Sequence, residues 1–95
     1  MSSMLYQPDG RVREICPSGA TWSLAELQTL VGGYIEVVRT VDDRFMVINE
    51  LGKLEGLELN IPATRLYKYG RRDVIVGNAV VVDTMLELDG PDDEV

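Results

Sequence analysis

The stretch "DVIVGNAVVVDT", residues 73–84, decides the fold that the sequence predicts. Apolar residues occupy nearly every position from Val74 to Val82, broken only by Gly77 and Asn78. A strand with one exposed face alternates apolar and polar residues, so a run without alternation predicts a strand covered on both faces. Gly77 inside the run predicts a bulge or a close approach of neighbouring backbone. The fold must therefore supply a covering layer on each side of this strand.

The clearest helix signal lies in "TWSLAELQTLVGGY", residues 21–34. Ser23 and Glu26 have the S-x-x-E spacing of a capping box, which satisfies two backbone amides at a helix start. Apolar residues then recur at the spacing of one helix face, at Leu24, Leu27, Leu30 and Val31. Gly32-Gly33 supplies a left-handed stop. The pattern predicts a helix from Leu24 to Val31.

Turn residues separate two pairs of strands. Pro8-Asp9-Gly10 suits a tight hairpin, because Asp and Gly tolerate positive φ, and Asp42-Asp43 marks a second turn. The predicted antiparallel pairs are Met4–Gln7 with Arg11–Ile15, and Tyr34–Val41 with Arg44–Asn49. With the run that ends at Val82, these elements predict an α+β domain with a mainly antiparallel sheet of four to five strands and one capped helix.

One helix of eight residues cannot cover both faces of such a sheet. Either "IPATRLYKYG", residues 61–70, forms a second short helix, or another subunit covers the second face. Small domains often bury an open apolar face by self-association, so we expect a homodimer.

Length and charge distribution define the domain. The 95 residues make one domain, which we assign to residues 1–88. The net charge is −7, but residues 83–95 hold six acidic and no basic residues. We expect residues 89–95 to be a flexible acidic tail. A single cysteine, no secretory leader and no apolar run of about 20 residues predict a soluble protein of the cytoplasm, with no membrane partner.

The residue types present argue against catalysis. The sequence contains no histidine, which removes Cys–His and Ser–His arrangements and the commonest zinc ligand. An enzyme would have to rely on Glu36, Glu50 and Lys53, and two carboxylates among sixteen acidic residues are a weak signal. We expect a protein that is not an enzyme and that holds neither a cofactor nor a metal.

The segment "NELGKLEGLELN", residues 49–60, allows two interpretations. In the first it is a wide turn: Gly52 and Gly56 take positive φ, the leucines cap the core, and the terminal asparagines bond to backbone. In the second, polar side chains form the walls of a pocket for a small ligand. The candidate ligand-binding residues of the second interpretation are Asn49, Glu50, Lys53 and Asn60.

The segment "RLYKYGRR", residues 65–72, combines basic and aromatic side chains without an acidic residue. Guanidinium groups hold phosphates, while tyrosine rings stack on bases. The candidate ligand-binding residues here are Arg65, Tyr67, Lys68, Tyr69 and Arg72. The alternative is a charged surface that only aids solubility.

Three motifs carry a resemblance to a known family. They are Val31-Gly32-Gly33 followed by Tyr34-Ile35-Glu36, the segment from Asn49 to Asn60, and Ile75-Val76-Gly77. Over about residues 24–82, the chain resembles the small phage- and plasmid-encoded proteins grouped as domain of unknown function family 3846. The resemblance implies an origin in a mobile genetic element and no established biochemistry.

These patterns favour a non-catalytic phage or plasmid accessory protein that acts by binding. In its most concrete form it is a dimer that sequesters a nucleotide-type ligand or blocks a host defence protein, in the host cytoplasm. The alternative is a nucleic-acid-associated protein that holds phosphates with residues 65–72. Salt separates a ligand pocket from nucleic-acid binding, because contacts to a phosphate backbone weaken steeply as salt rises.

Overall fold

The strands of the protein form one antiparallel sheet with a helix on each face. The computed structural model describes residues 3–88, so the predicted acidic tail, residues 89–95, lies outside the described residues. The elements in chain order are β1 (Ser3–Tyr6), β2 (Val12–Ile15), α1 (Leu24–Val31), β3 (Ile35–Arg39), β4 (Phe45–Asn49), α2 (Ile61–Leu66), β5 (Ala79–Val82) and a 3₁₀ turn (Met85–Glu87). The predicted α+β fold with a mainly antiparallel sheet is confirmed.

The sheet has the strand order β2-β1-β5-β4-β3, which places β5 at its centre. Strand β5 pairs with β1 through Leu5 and Val80, and with β4 through Val47 and Val80. All four residues of β5 are buried. The absence of alternation in this part of the sequence therefore has the predicted cause, a strand covered on both faces.

Alternate residues of β5 enter two separate cores. Val80 and Val82 pack with Leu27 of α1 in the first core. Val81 packs with Ala63 of α2 in the second core. Both faces of the central strand are thus covered within one chain, and the second short helix is confirmed. A second subunit is therefore not needed to cover this strand, which was the reason for expecting a homodimer. The homodimer itself remains a prediction.

The central strand is shorter than predicted. Residues 74–78 run past the segment of residues 49–60 instead of extending β5: Ile75 accepts a backbone hydrogen bond from Asn60 (2.8 Å), and Gly77 donates one to Glu58 (2.7 Å). Gly77 has φ +76°, and a Cβ there would lie 2.7 Å from Cδ1 of Leu57. Gly77 does have a close neighbour, but it is the Leu57 side chain and not the backbone that was predicted; the left-handed backbone of Gly77 turns the chain before β5 begins.

Helix α1 has the predicted bounds and the predicted cap. The Ser23 hydroxyl accepts from the Glu26 amide (3.1 Å), and the Glu26 carboxylate accepts from the Ser23 amide (3.0 Å). The Ser18 amide and hydroxyl also donate to this carboxylate. These hydrogen bonds, led by that from the Ser23 backbone, lower the pKa of Glu26 to about 2. The helix ends at Gly32, which has φ 82°. Among residues 3–88, neither helix has the length and apolar character that crossing a bilayer requires.

We predict that Ser23→Ala lowers the free energy of unfolding by about 1 kcal/mol, because the Glu26 amide loses its acceptor. Urea unfolding followed by circular dichroism measures the change. Thr29→Ala is the matched control, since Thr29 is an exposed hydroxyl residue in the same helix and alanine is the best helix former. An equal loss in both variants would contradict the capping role of Ser23.

Candidate functional site

The basic segment, residues 65–72, begins in the last turn of α2 and folds back on that helix. The Gly70 amide donates to Tyr67 O (2.9 Å), and the Arg72 amide donates to Tyr69 O (2.9 Å), so two tight turns follow each other. A Cβ on Gly70 would overlap the carbonyl oxygen of Thr64. Only glycine fits there, and the turn therefore packs directly on the backbone of α2.

The hairpin between β3 and β4 holds the same segment from the other side. Val41 donates its amide to Leu66 O (2.8 Å), and Lys68 donates its amide to Arg39 O (3.0 Å). Thr40 and Tyr67 form an antiparallel bridge between these two bonds. The segment thus continues the sheet beyond the edge of β3, and its side chains project from a backbone fixed at several points.

The side chains of the segment line an open groove of about 650 Å³, which we call the basic groove. The rings of Tyr67 and Tyr69 meet edge to face with centroids 5.8 Å apart. The Lys68 ammonium lies 5.7 Å from the centroid of Tyr69, a ring that is 52% exposed. The lining residues are Val41, Thr64, Arg65, Tyr67, Lys68, Tyr69, Gly70, Arg71 and Arg72.

The positive charge of the basic groove is not neutralised by ion pairs within residues 3–88. Of the nine basic residues in the chain, four form ion pairs with aspartates, namely Arg11, Arg39, Arg44 and Lys53. Five remain, and four of these five line the groove; the fifth, Arg13, lies on β2 at the opposite edge of the sheet. An anion bound in the groove would therefore not have to displace a carboxylate of the described chain.

A smaller cavity of about 150 Å³, which we call the small cleft, adjoins the groove. Its floor is apolar, and charged side chains surround it. Two of these side chains, Lys53 and Asp73, form an ion pair, and the hydrogen bond from Lys53 is the main cause that lowers the pKa of Asp73. The lining residues are Glu36, Val38, Ile48, Asn49, Glu50, Leu51, Gly52, Lys53, Leu54, Tyr67, Asp73, Val74, Ile75 and Val76.

Tyr67 lines both cavities and separates them. Burial raises the pKa of its hydroxyl, and the carboxylates of Asp73 and Glu36 raise it further. The hydroxyl therefore stays protonated at neutral pH, as a hydrogen-bond donor and acceptor. The two cavities have charged linings of different character, the groove basic and the cleft rich in carboxylates.

The asparagines at the ends of residues 49–60 bond to the protein itself. Asn60 is fully buried: its Oδ1 accepts from the Ala63 amide (3.0 Å) and caps α2, and its Nδ2 donates to the carbonyls of Tyr6 (3.0 Å) and Gly77 (2.7 Å). Asn60 lies in neither cavity. This geometry matches the first interpretation of the segment, in which the terminal asparagines tie chain ends together.

Asn49 makes a similar set of bonds but reaches the wall of the small cleft. Its Nδ2 donates to Val31 O (3.2 Å) and to the Glu55 carboxylate (3.1 Å), and its Oδ1 accepts from the Leu51 amide (2.8 Å). Each polar atom of the side chain therefore has a partner within the protein. Asn49 holds the end of α1 and the start of the segment together at the cleft.

Three of the four leucines of residues 49–60 do not cap the core as the first interpretation expected, whereas Leu57 is half-buried. Leu54 is 86% exposed, and Leu51 and Leu59 are exposed as well. The reason is that the segment closes on itself, with the Leu57 amide bonded to Gly52 O (3.0 Å), which turns its middle outward. Gly56 takes the expected positive φ of 70°, whereas Gly52 does not.

The structure thus places the sequence-predicted site residues other than Asn60 in two adjoining cavities. The small cleft has Asn49, Glu50, Lys53 and Tyr67, and the basic groove has Arg65, Tyr67, Lys68, Tyr69 and Arg72. Sequence reasoning did not select Arg71 or Asp73, and it considered Glu36 only as a catalytic carboxylate. Arg71 was visible as a fourth cation of the same segment, but no local pattern marks Asp73. Residues 3–88 contain no cluster of three side chains suited to a metal ion.

We predict that Asn60→Ala destabilises the protein by about 2–4 kcal/mol, the sum of a lost helix cap and of buried groups left without partners. Asn60→Ser keeps an oxygen for the Ala63 amide and should lose less. Urea unfolding of both variants measures which of them loses more free energy of unfolding. A change below about 0.5 kcal/mol in Asn60→Ala, typical of an exposed position, would show that Asn60 does not hold the fold.

Comparison with protein families gives a match over most of the chain. The model of the family described as Domain of unknown function (DUF3846) matches residues 1–90. No curated protein and no solved structure matches the chain. The family match includes the two helices, all five strands and both cavities. The protein therefore belongs to the DUF3846 family.

Proposed function

We propose that the protein is a non-catalytic binding protein that holds a nucleotide-type ligand by its phosphates in the basic groove. One observation carries this proposal. Of the five basic side chains that form no ion pair within the described chain, four line a single groove together with two tyrosines. Cations whose only role is solubility have no reason to concentrate around a pair of tyrosine rings, one of them exposed.

The chemistry of the groove suits phosphate and base together. One arginine side chain can bind two phosphate oxygens at once through two parallel N–H donors. The exposed ring of Tyr69 offers a face on which a base stacks. The hydrogen bonds to Arg39 and Val41 fix the backbone that carries these side chains. A fixed backbone reduces the entropy lost on binding, which favours affinity for a small anion.

The proposed action is sequestration without turnover. Lys53 is held by Asp73, and burial keeps the Tyr67 hydroxyl protonated, so neither is a ready base or nucleophile. Combined with the resemblance to phage- and plasmid-encoded proteins, this favours an accessory protein that removes a host nucleotide from solution. We propose the host cytoplasm as its location, because that is where such nucleotides occur.

Single-stranded nucleic acid is the second candidate ligand. The basic groove is open, and alternating basic and aromatic side chains serve both to track a phosphate backbone and to stack bases. A strand that contacts several phosphates releases several counterions, so its affinity falls steeply as salt rises. A mononucleotide on the same cations has a much smaller salt dependence. Titration with GTP and with a short oligonucleotide at two salt concentrations separates the two ligands.

We predict that Arg65→Ala and Arg72→Ala each weaken nucleotide binding about ten- to hundredfold, the loss of a charge-assisted bond worth about 1.5–3 kcal/mol. Calorimetric titration with nucleoside triphosphates and with inorganic tripolyphosphate measures the change. Arg13→Ala is the matched control, because it removes an equal charge outside the groove. The proposal is refuted if the protein binds none of these anions. It is also refuted if Arg13→Ala weakens binding as much as Arg65→Ala and Arg72→Ala do.

A further inference from the structure

The small cleft is a second chamber of the proposed site and has a different chemistry from the basic groove. Its floor consists of apolar side chains from β3, β4 and the chain before β5, namely Val38, Ile48 and Ile75. Tyr67 forms a wall shared with the groove. Ligand sites typically combine such an apolar floor with a few fixed polar groups. A planar base fits this description, whereas a phosphate does not.

The charged groups at the cleft that have no partner within residues 3–88 are carboxylates, since Lys53 is held by Asp73. Glu36 and Glu50 line it, and within residues 3–88 neither carboxylate takes part in an ion pair or a hydrogen bond. The third carboxylate, Asp73, is engaged by Lys53 and by the Val74 amide. An ionised carboxylate only accepts hydrogen bonds. The cleft therefore attracts a ligand edge that donates and repels phosphate, which orients a nucleotide with its phosphates in the groove.

Among the common bases, guanine has the edge that matches a carboxylate. Its N1–H and its 2-amino group are adjacent donors, which two oxygens of one carboxylate accept together. Adenine and cytosine place an unprotonated ring nitrogen beside the amino group, and uracil flanks its N–H with carbonyls, so each sets an acceptor against the carboxylate. A base that lacks one of these two donors leaves the carboxylate oxygen opposite it without a hydrogen bond, which costs binding free energy.

We infer that the small cleft is the base subsite of the proposed nucleotide site, and that Glu36 and Glu50 select a guanine base there. This inference rests on the proposed function and adds the class of ligand. A guanine nucleotide would lie across Tyr67, with its base among Val38, Ile48 and Ile75 instead of on the ring of Tyr69, and with its phosphates among the cations of residues 65–72. Lys53 remains with Asp73 at the rim.

Calorimetric titration of the full chain with GTP, ITP, UTP and inorganic tripolyphosphate tests the inference. ITP differs from GTP only by the absence of the 2-amino group. We expect GTP to bind roughly tenfold more tightly than ITP or UTP, because contacts to a base edge discriminate by about that factor. Tripolyphosphate should bind through the groove alone, and more weakly than GTP.

Isosteric variants assign the discrimination to the cleft. Glu36→Gln and Glu50→Gln keep the side-chain size at exposed positions, so we expect them to fold; at least one should reduce the ratio of GTP to ITP affinity severalfold and leave binding of tripolyphosphate unweakened. Glu14→Gln on β2, an exposed position at the opposite edge of the sheet, is the control.

Two results would overturn the base subsite and leave the proposed function standing. They are equal affinities for GTP, ITP and UTP, and a GTP preference that neither Glu36→Gln nor Glu50→Gln reduces more than Glu14→Gln does. Absence of binding to tripolyphosphate and to all three nucleotides would overturn the proposed function and this inference together.

Discussion

The buried amide of Asn60 is the interaction on which the rest of the structure depends. One side chain bonds to β1 at Tyr6, to the left-handed turn at Gly77 and to the first turn of α2 at Ala63. It thereby fixes where α2 starts, and α2 covers the second face of the central strand. The basic segment begins in the last turn of the same short helix, so the position of the groove follows from that of the cap. In a domain of this size, a buried amide with three bonds is a large share of the net stability.

Local charge, not net charge, defines the candidate site. The net charge of −7 predicts a protein that avoids anions, yet six of the sixteen acidic residues lie in residues 83–95 and the rest nearly balance the nine basic residues. Arg11, Arg39 and Arg44 form ion pairs with aspartates that lie two to four residues away along the chain. The basic segment contains no aspartate or glutamate of its own, so its cations remain without such partners among residues 3–88. Next to it, Glu36 and Glu50 give the small cleft the opposite character.

Local patterns predicted the elements whose cause is local. The capping box at Ser23 and Glu26 marked the start of α1 and Gly32 its end, and Gly77 marked a close approach, which is made by the Leu57 side chain instead of by backbone. The apolar run misled at residues 74–78, because a buried irregular segment is as apolar as a buried strand. The start of α2 also has a signal in the sequence, an asparagine cap followed by a proline in the first helical turn at Pro62. No sequence pattern marks the contact between the two cavities at Tyr67, because this contact arises where the β3–β4 hairpin meets the chain after α2.

Backbone amide chemical shifts of ¹⁵N-labelled protein, followed during titration with tripolyphosphate, test most directly whether the basic segment is an anion site. If the cations of this segment bind phosphate from a fixed backbone, saturable shifts should concentrate on residues 64–73 and on Val41, which lines the same groove. The amides around Arg13, the remaining basic residue without an ion pair among residues 3–88, should stay in place. Shifts that centre on Arg13 and β2, or no saturable shift at all, would contradict an anion site in the basic groove.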